Sequence, residues 1–356
     1  MGEKNGILIT FLTLGLPTNL DDNDLTQIGE VLEEAYATNT KNTYGTGIFA
    51  FHEFCDFKGI EEKHRAPVDK NVLVSFIATY AGTYGGSTIR NFVYSIRAWH
   101  IIHSAPWKID NNELKALLTT GKRLAPPESK APIKEPWTLD YLSKICQDLD
   151  PNDPRDAAIH ACLTTAFWGT ARLGEVIVPT LNGFDPVKHV KPSDVQLKVK
   201  DANGLIMTNI NLPWSKAAQE QGEGIYWAEQ QGITDPKAAL ANHLKINNPP
   251  KNGHLFSFKH QKTIRPMTKH AIDSRLKNIL AKHNLPKLPY HGIRVGSTLV
   301  YLLRGISFDV VKAKGRWQSN AFKLYLRQHA QIMAPYMQAN PKLFDGLVRY
   351  SMPPVH

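Results

Sequence analysis

The sequence predicts a mainly α-helical protein with a small antiparallel β-sheet, divided into two domains. Apolar residues recur at intervals of three and four along most of the chain, which is the period of an amphipathic helix. The period changes to two around residues 195–212, as expected for paired strands. With 356 residues, the chain is longer than one ordinary hydrophobic core requires, so two domains are the natural expectation.

A helical domain is predicted over residues 24–124, after an N-terminal arm at 1–23. The apolar faces of its four or five helices lie at residues 28–35, 44–54, 72–80, 89–99 and 112–118. Gly59 ends the second helix, and Asp69 and Ser87 are predicted to cap the third and the fourth. We expect these helices to form a compact bundle.

A proline-rich segment at residues 125–136 separates this bundle from the rest of the chain. It contains four prolines in twelve residues and almost no large apolar side chain. Proline restricts both itself and the preceding residue to extended conformations, and such a composition is typical of an interdomain linker. We therefore predict the domain boundary here.

The second domain, residues 137–356, is predicted to be helical apart from one β-hairpin. Its helices are expected at residues 139–149, 154–167, 237–246, 268–283, 290–303, 308–314 and 320–333. The hairpin strands alternate in polarity within 195–212, around a turn at Asn203-Gly204. A third short strand is expected at 225–227.

The chain carries an excess of positive charge, with a formal net charge of +10 and a pI near 9.3. Such a surface favours a polyanionic partner, nucleic acid first and an anionic membrane second, although a basic protein without such a partner is an alternative. The three cysteines, Cys55, Cys146 and Cys162, have no paired spacing, which argues against disulfides and structural zinc. The apolar run at 6–16 is too short to span a bilayer, so we expect an intracellular protein.

Groups that suit phosphodiester chemistry occur close together in the last quarter of the sequence. They are His291, Arg294, Trp317 and Tyr325. Cleaving a phosphodiester without a metal requires an in-line nucleophile, positive charge on the nonbridging oxygens and an acid for the leaving alkoxide. Arginine binds such oxygens through two parallel hydrogen bonds. Tyrosine suits the attack because its phenolate leaves more easily than an alkoxide, so that the covalent intermediate can be reversed.

The remaining groups lie upstream. Arg172 is followed three residues later by Glu175, and a carboxylate one helical turn away can orient a guanidinium. Lys216 follows the predicted hairpin, where a lysine on a mobile turn could reach a leaving oxygen. Each signal alone has a simpler explanation: a surface Arg-Glu pair, one lysine among many, a structural His-x-x-Arg, or aromatic packing of Trp317 and Tyr325. The functional interpretation depends on their order and spacing.

In this order the residues resemble the tyrosine recombinases, the family that includes the phage integrases. The resemblance covers residues 138–331, and the preceding bundle is similar in position and size to the family's core-binding domain. The segment Leu212-Pro-Trp-Ser-Lys216 and the short interval from Gly315-Arg-Trp317 to Tyr325 are similar to the eukaryotic Crypton-type recombinases in particular. The implied fold is a helical core-binding domain followed by an α+β catalytic domain.

The resemblance implies that three of these residues hold the scissile phosphate and that a fourth orients them. Arg172 and Arg294 clamp its nonbridging oxygens, and Glu175 is the orienting acid, which does not take part directly. Trp317 holds the phosphate through its indole N–H, in the place that many relatives give to histidine.

The other three residues would exchange the bonds. Tyr325 attacks to form a 3′-phosphotyrosine, Lys216 protonates the leaving 5′ oxygen, and His291 assists proton transfer from the nucleophile. The interval from Trp317 to Tyr325 is one residue shorter than we expect for the family, which affects the expected geometry of the helix there. Since the phosphotyrosine stores the energy of the broken bond, the resemblance implies neither a nucleotide nor a metal cofactor.

The implied partner is double-stranded DNA, which the protein would cleave and rejoin at a specific site. The family forms a dimer on each site and a tetramer in synapsis by passing a C-terminal helix to a neighbour, and residues 338–356 are the candidate for that exchange. A Crypton-type protein belongs to a transposable element and, in a eukaryote, to the nucleus. Two alternatives remain: type IB topoisomerase activity without site specificity, and a domesticated transposon protein that binds DNA without cleaving it.

Overall fold

The structure is a computed structural model that describes residues 21–36, 38–129, 135–200, 204–215, 218 and 222–318. The predicted helix at 320–333 and the tail at 338–356 lie outside these residues, as does nearly all of the predicted arm. The chain divides into two compact units, residues 1–132 and 133–356. The division falls within the proline-rich segment 125–136.

The described part of the first unit is a bundle of helices. They are α1 (Asp22–Glu34), α2 (Thr38–Phe57), α3 (Lys70–Ala81), α4 (Gly86–Ile102) and α5 (Asn111–Leu124). Phe76 on α3 is fully buried, and the rings of Phe51 and Phe54 meet it edge-on with centroids 5.4 Å away. Edge-to-face contacts of this kind add to the free energy gained by burying the rings, so α2 and α3 are held together at this point.

Aspartate side chains begin α3 and α5. Asp69 accepts a hydrogen bond from the backbone N–H of Asn71 at 2.7 Å, and Asp110 caps α5 in the same way. The predicted cap at Ser87 is wrong, because α4 begins at Gly86 and the extended residue before it is Gly85, which makes no side-chain bond. Ser87 lies inside the first turn, beyond the position from which a hydroxyl can accept from the exposed amide groups.

The second unit is built around one buried helix, α7. Its helices are α6 (Leu139–Gln147), α7 (Pro154–Trp168), α8 (Leu173–Val176), α9 (Pro236–Asn247), α10 (Lys269–Lys282), α11 (His291–Leu303) and α12 (Phe308–Lys314). From Asp156 to Trp168, every residue of α7 except His160 is buried. A helix buried on all sides belongs to the centre of a core, and α7 packs against both α9 and α11.

A three-stranded antiparallel sheet confirms the small sheet that the sequence predicts. Its strands are β1 (Val195–Lys200), β2 (Ile206–Leu212) and β3 (Glu223–Trp227), with β2 in the middle. The inward side chains of β2, Ile210 and Leu212, are fully buried. In β1 the expected alternation fails, because the register shifts between Gln196 and Val199 and leaves Leu197 57% exposed.

A second hairpin was not predicted. It consists of β4 (Phe258–His260) and β5 (Thr263–Arg265), which pair in antiparallel register. Strands of three residues are too short to show a period of two, so their sequence carries no clear signal. Over the described ranges the fold is therefore mainly α with two small antiparallel sheets, and no helix within them is long and apolar enough to cross a membrane.

A buried histidine connects three elements of the second unit. His243 on α9 is fully buried, its Nε2 donates to the carbonyl of Leu255 at 2.8 Å, and its Nδ1 accepts from Asn247 at 3.0 Å. Asn247 in turn donates to the carbonyl of Pro154 and accepts from the backbone N–H of Lys259. Burial lowers the pKa of His243 to about 4, because the charged imidazolium would lose its hydration.

We predict that acid weakens the second unit through His243. Below pH 6.5 the unfolded state binds a proton that the folded state takes up only near pH 4, so the free energy of unfolding falls by about 1.4 kcal/mol per pH unit in this window. His243→Leu should cost about 1–3 kcal/mol at pH 7, since the carbonyl of Leu255 loses its donor. The difference in free energy of unfolding between the wild type and His243→Leu should shrink as the pH falls, because only the wild type is weakened by protonation of His243.

Urea unfolding at pH 7, 6 and 5 measures how the free energy of unfolding changes with pH in the wild type and in His243→Leu. His64→Leu provides the matched control, because it removes an exposed histidine of the first unit and leaves the contacts of His243 intact. A deficit of His243→Leu that stays constant with pH would contradict the assignment of a buried neutral histidine.

Candidate active site

Arg172 lies at the start of a short helix. The sequence places it at the end of an apolar helix, but α7 ends at Trp168, and Arg172 is the N-cap residue of α8 three residues after Gly169. The carboxylate of Glu175 accepts from the backbone N–H of Arg172 at 2.9 Å and from its Nη1 at 2.6 Å. The side chain of Glu175 is only 7% exposed and that of Arg172 is 40% exposed, so a buried acid orients a solvent-facing guanidinium.

Arg294 lies on α11 and is almost completely buried, with 1% of its surface exposed. Its Nη2 donates to the backbone carbonyl of Gly315, and its guanidinium lies 4.2 Å from the centre of the Trp317 ring. A cation at this distance over an indole face is attracted by the quadrupole of the ring. Arg294 and Trp317 therefore form one stacked unit.

The position of α11 is fixed by close backbone contact on one side. The backbone N–H of Trp137 donates to the carbonyl of Gly292 at 2.9 Å, and a Cβ atom on Gly296 would lie 1.8 Å from the carbonyl oxygen of Trp137. These two glycines, one helical turn apart, leave room for the extended segment beside Trp137. No larger residue fits at Gly296 unless this segment moves.

Two hydrogen bonds tie α11 to the loop that precedes Arg172. The hydroxyls of Thr170 and Ser297 lie 2.8 Å apart and are both buried, and the phenol of Tyr301 donates to the carbonyl of Trp168 at 2.8 Å. The loop between α7 and α8 is thereby attached to the helix that carries Arg294. The two arginines are held by neighbouring parts of one rigid core.

The turn after α12 presents Trp317. Gly315 ends the helix, Arg316 has a left-handed backbone with φ of 56°, and the indole of Trp317 folds back over the preceding glycine. A Cβ atom on Gly315 would lie 1.6 Å from Cζ3 of the Trp317 ring, so that only glycine allows this arrangement. The tripeptide Gly315-Arg-Trp317 therefore acts as a structural unit.

Sequence reasoning missed Arg316, the residue before Trp317. Its side chain is 7% exposed, its Nη2 pairs with Glu175, and its Nε lies 3.2 Å from Glu223 at the start of β3. The Glu223 contact is an ion pair without hydrogen-bond alignment. We call Arg172, Glu175, Arg316 and Glu223 the Glu175 cluster. The only signal for Arg316 in the sequence is its position beside Trp317.

Lys314 fixes the same turn from the other side. Its Nζ donates to the carbonyl of Tyr226 on β3 at 2.5 Å and lies 4.8 Å from the centre of the Tyr301 ring. Burial first, and the charge of Arg316 second, lower the pKa of Lys314 to about 8. The end of α12 is therefore attached to β3 immediately before the Gly315-Arg-Trp317 turn.

The remaining predicted site residues are His291, Lys216 and Tyr325. His291 is exposed and is the first residue of α11, one turn before Arg294. Lys216 and Tyr325 lie outside the described residues, so their places in the site stay predictions. The residues that flank Lys216 are described: the backbone N–H of Ser215 donates to the carbonyl of Ala218, whose own N–H donates to the Ser215 hydroxyl, both at 3.1 Å.

An open cavity of about 480 Å³ lies next to these residues. Its lining includes Ala218, Glu223, Arg316 and Trp317. Ala218, two residues after Lys216, therefore lines the same cavity as the indole of Trp317 and the side chain of Arg316. The structure brings together Arg172, Glu175, Arg294 and Trp317, with Arg316 as a fifth member.

Solved structures of DNA-bound recombinases resemble the chain over most of its length. XerH site-specific recombinase bound to palindromic difH substrate, in a post-cleavage complex, aligns with a TM-score of 0.54 at 13% identity over 97% of this chain and 94% of that chain. The XerH pre-cleavage complex with difH aligns with a TM-score of 0.50 at 14% identity, over 94% of this chain and 93% of that chain. A lambda integrase(75–356) dimer bound to a COC′ core site gives 0.52 at 14% identity, over 85% and 93%.

No family model and no curated protein matches the sequence. The structural similarity shows the fold: the chain has the fold of the tyrosine recombinases. The fold class predicted from the sequence is confirmed.

We predict that Gly296→Ala destabilises the second unit by at least about 2 kcal/mol, because the new methyl group overlaps the carbonyl of Trp137. Gly174→Ala on α8 is the matched control: nothing lies within 4 Å of its Cβ position, and its effect should stay within about 0.5 kcal/mol. Urea unfolding of the two variants tests this. Equal stabilities would show that α11 does not pack this closely on residue 137.

Proposed function

We propose that this protein is a site-specific recombinase that cleaves and rejoins duplex DNA through a 3′-phosphotyrosine intermediate. The observation that carries the proposal is the arrangement of Arg172, Arg294 and Trp317, linked through Glu175 and Arg316, within the tyrosine recombinase fold. The same fold holds DNA in the XerH post-cleavage complex and in the lambda integrase core-site complex.

The first step is phosphate binding. Arg172 and Arg294 would donate hydrogen bonds to the nonbridging oxygens, and Trp317 would add its indole N–H. Guanidinium groups keep their charge at any neutral pH and match the geometry of a phosphate, so they stabilise the charge that develops in the transition state. Because Arg172 is partly exposed and its guanidinium is fixed by Glu175, this group needs little reorganisation when the phosphate arrives.

The second step is transesterification. The phenol oxygen of Tyr325 forms a bond to phosphorus while the bond from phosphorus to O5′ breaks. Lys216 gives a proton to the leaving O5′, and His291 receives the proton of the phenol. The reverse reaction with a 5′ hydroxyl from another strand breaks the phosphotyrosine and rejoins DNA, so the cycle consumes no nucleotide.

The first unit offers a candidate surface for the DNA backbone. An open cavity of about 810 Å³ between α4 and α5 is lined by four basic residues, Arg90, Arg97, Lys115 and Lys122, and by no acidic residue of the described part of the chain. Cations at this density attract DNA by neutralising phosphates and releasing counterions. We propose that 24–124 is a DNA-binding domain, and that base readout involves 87–99 and, in the second unit, 268–282.

The assembly follows from the same proposal. Two protomers would bind one site, four would form the synapse, and residues 338–356 would pass to a neighbour. A Crypton-type recombinase of a transposable element, acting in the nucleus of a eukaryote, is the particular kind of protein that we propose. Relaxation of an arbitrary supercoiled plasmid by monomeric protein, without recombinant products, would favour a type IB topoisomerase instead.

We predict a covalent adduct with DNA. Nicked suicide duplexes with a randomised half-site, incubated with the protein in metal-free buffer, should give a band of reduced mobility on a denaturing gel. The adduct should be absent with Tyr325→Phe, which removes the attacking oxygen but keeps the ring. Tyr84→Phe is the control and should retain the adduct, because Tyr84 is an exposed tyrosine of the first unit, outside the candidate active site.

An adduct that survives Tyr325→Phe would exclude this tyrosine as the nucleophile. Absence of any adduct in the wild type, together with tight duplex binding, would support a protein that binds DNA without cleaving it.

We also predict that the basic cavity contributes phosphate contacts. The double variant Lys115→Ala/Lys122→Ala should bind duplex DNA more weakly and should reduce the slope of log Kd against log salt by about two, one for each lost contact. Lys58→Ala is the control, because Lys58 is exposed in the same unit and does not line the cavity. An unchanged salt slope in the double variant would place the DNA elsewhere.

A further inference from the structure

We propose that Arg316 is a positioning residue of the candidate active site, whose guanidinium connects the Arg172-Glu175 pair to the base of the segment that carries Lys216. The proposal rests on the proposed function and extends it to a residue that sequence reasoning did not assign. Two carboxylates pair with different nitrogens of the guanidinium: Glu175 with Nη2 and Glu223 with Nε.

The first arm leads to the phosphate clamp. Nη2 of Arg316 pairs with Oε2 of Glu175, the oxygen that also accepts from the backbone N–H of Arg172. The other carboxylate oxygen accepts from Nη1 of Arg172. One buried carboxylate therefore lies between two guanidinium groups, and its direction depends on both. Without Arg316, Glu175 would lose the partner that holds it from the opposite side.

The second arm leads to Glu223 at the start of β3. Glu223 is the first residue of β3 and lies opposite Leu212, the last residue of β2, in the antiparallel register. These two residues form the base of the segment 213–222, which includes Lys216. The side chain of Glu223 is 17% exposed, and its Oε1 lies 3.2 Å from Nε of Arg316. Arg316 therefore holds one end of the Lys216 segment.

Arginine is required here by geometry and charge. Nε and Nη2 point to different carboxylates, which the single nitrogen of lysine cannot reach together. The side chains of Arg316 and Glu175 are each 7% exposed, so removing the cation would leave two acids with little solvent to replace it. The Lys314 contact with Tyr226 fixes the chain two residues before Arg316. This contact therefore helps to determine the position of the Arg316 guanidinium.

The two arms act on different parts of the reaction. The Glu175 arm sets the direction of Arg172 and so affects binding of the nonbridging oxygens. The Glu223 arm sets the base of the Lys216 segment and so affects protonation of the leaving oxygen. A substrate with a better leaving group distinguishes them, because a 5′ thiolate leaves without a proton: the pKa of a thiol is about 8.5, far below that of an alcohol.

The experiment measures single-turnover cleavage on two duplexes of one sequence, chosen as one that forms the wild-type adduct. One duplex has the ordinary 5′ oxygen at the scissile bond, and the other has a bridging 5′ sulfur. Glu223→Gln is expected to slow cleavage of the oxygen duplex by about 10-fold to 100-fold, since small displacements of a catalytic group cost up to about 100-fold. On the sulfur duplex its rate should lie within about threefold of the wild type, because no general acid is needed.

Comparison variants define each arm. Lys216→Ala should show the same recovery on sulfur, whereas Glu175→Gln should stay slow on both duplexes, because phosphate binding is needed with either leaving group. Arg316→Gln should lose both arms, and should therefore recover only partly on sulfur. Glu229→Gln is the matched control: this carboxylate lies just beyond β3, is exposed, and pairs with Lys237, so its rates should equal those of the wild type.

Folding is checked by thermal unfolding and by DNA affinity, which should remain within about twofold of the wild type for Glu223→Gln, as expected for a residue that does not touch DNA. If Glu223→Gln does not fold, Glu223→Asp replaces it. Aspartate keeps the charge but shortens the reach to Arg316, and the same preference for the sulfur duplex is expected.

Three results would overturn the proposal. Equal slowing of Glu223→Gln on both duplexes would indicate that Glu223 does not act on the leaving group. Wild-type rates on both would show that the Glu223 contact is dispensable. The third result is that Arg316→Gln slows cleavage of the oxygen and the sulfur duplex equally while Glu223→Gln slows neither. This result would indicate that Arg316 contacts the phosphate directly, through its Nη1, which has no hydrogen-bond partner among the described residues. If the wild type itself cleaves neither duplex, the proposed function fails, and this proposal with it.

Discussion

The candidate active site depends on one buried carboxylate, that of Glu175. It accepts hydrogen bonds from the backbone and the side chain of Arg172 and pairs with Arg316. A buried charge must be paired to be tolerated, and here the pairing connects the start of α8 with the turn after α12. Because Arg316 also meets Glu223, the same interaction extends to β3. Loss of this acid would leave two guanidinium groups without a shared partner.

The candidate site has a buried, fixed part and a part that is open to solvent. Arg294 is buried beneath Trp317, and α11 is held by the close contact at Gly296 and by the Thr170-Ser297 hydrogen bond. In contrast, Arg172 is partly exposed, and the cavity beside Trp317 is open. The fold therefore combines one buried, fixed guanidinium with one partly exposed guanidinium on neighbouring parts of the same core.

Hydrophobic periodicity identified most helices and the central hairpin because burial requires it. Residues on one face of α6 or of β2 must be apolar wherever the element packs on the core, and this leaves a period in the sequence. Features that depend on single contacts were missed: the bulge that exposes Leu197, the hairpin of β4 and β5, and the start of α4 before Ser87. Each is decided by a few local bonds that leave no repeating pattern.

The sequence by itself determined the set of candidate groups, because Arg172 with Glu175, Arg294 and Trp317 occur in a meaningful order and their residue types have few other joint uses. Only the tertiary structure showed that Arg316 completes the set. It pairs with Glu175, 141 residues away, and with Glu223, and both contacts exist only because α12 docks on β3. Ion pairs between distant residues follow from how elements pack, and that packing cannot be read from spacing along the chain.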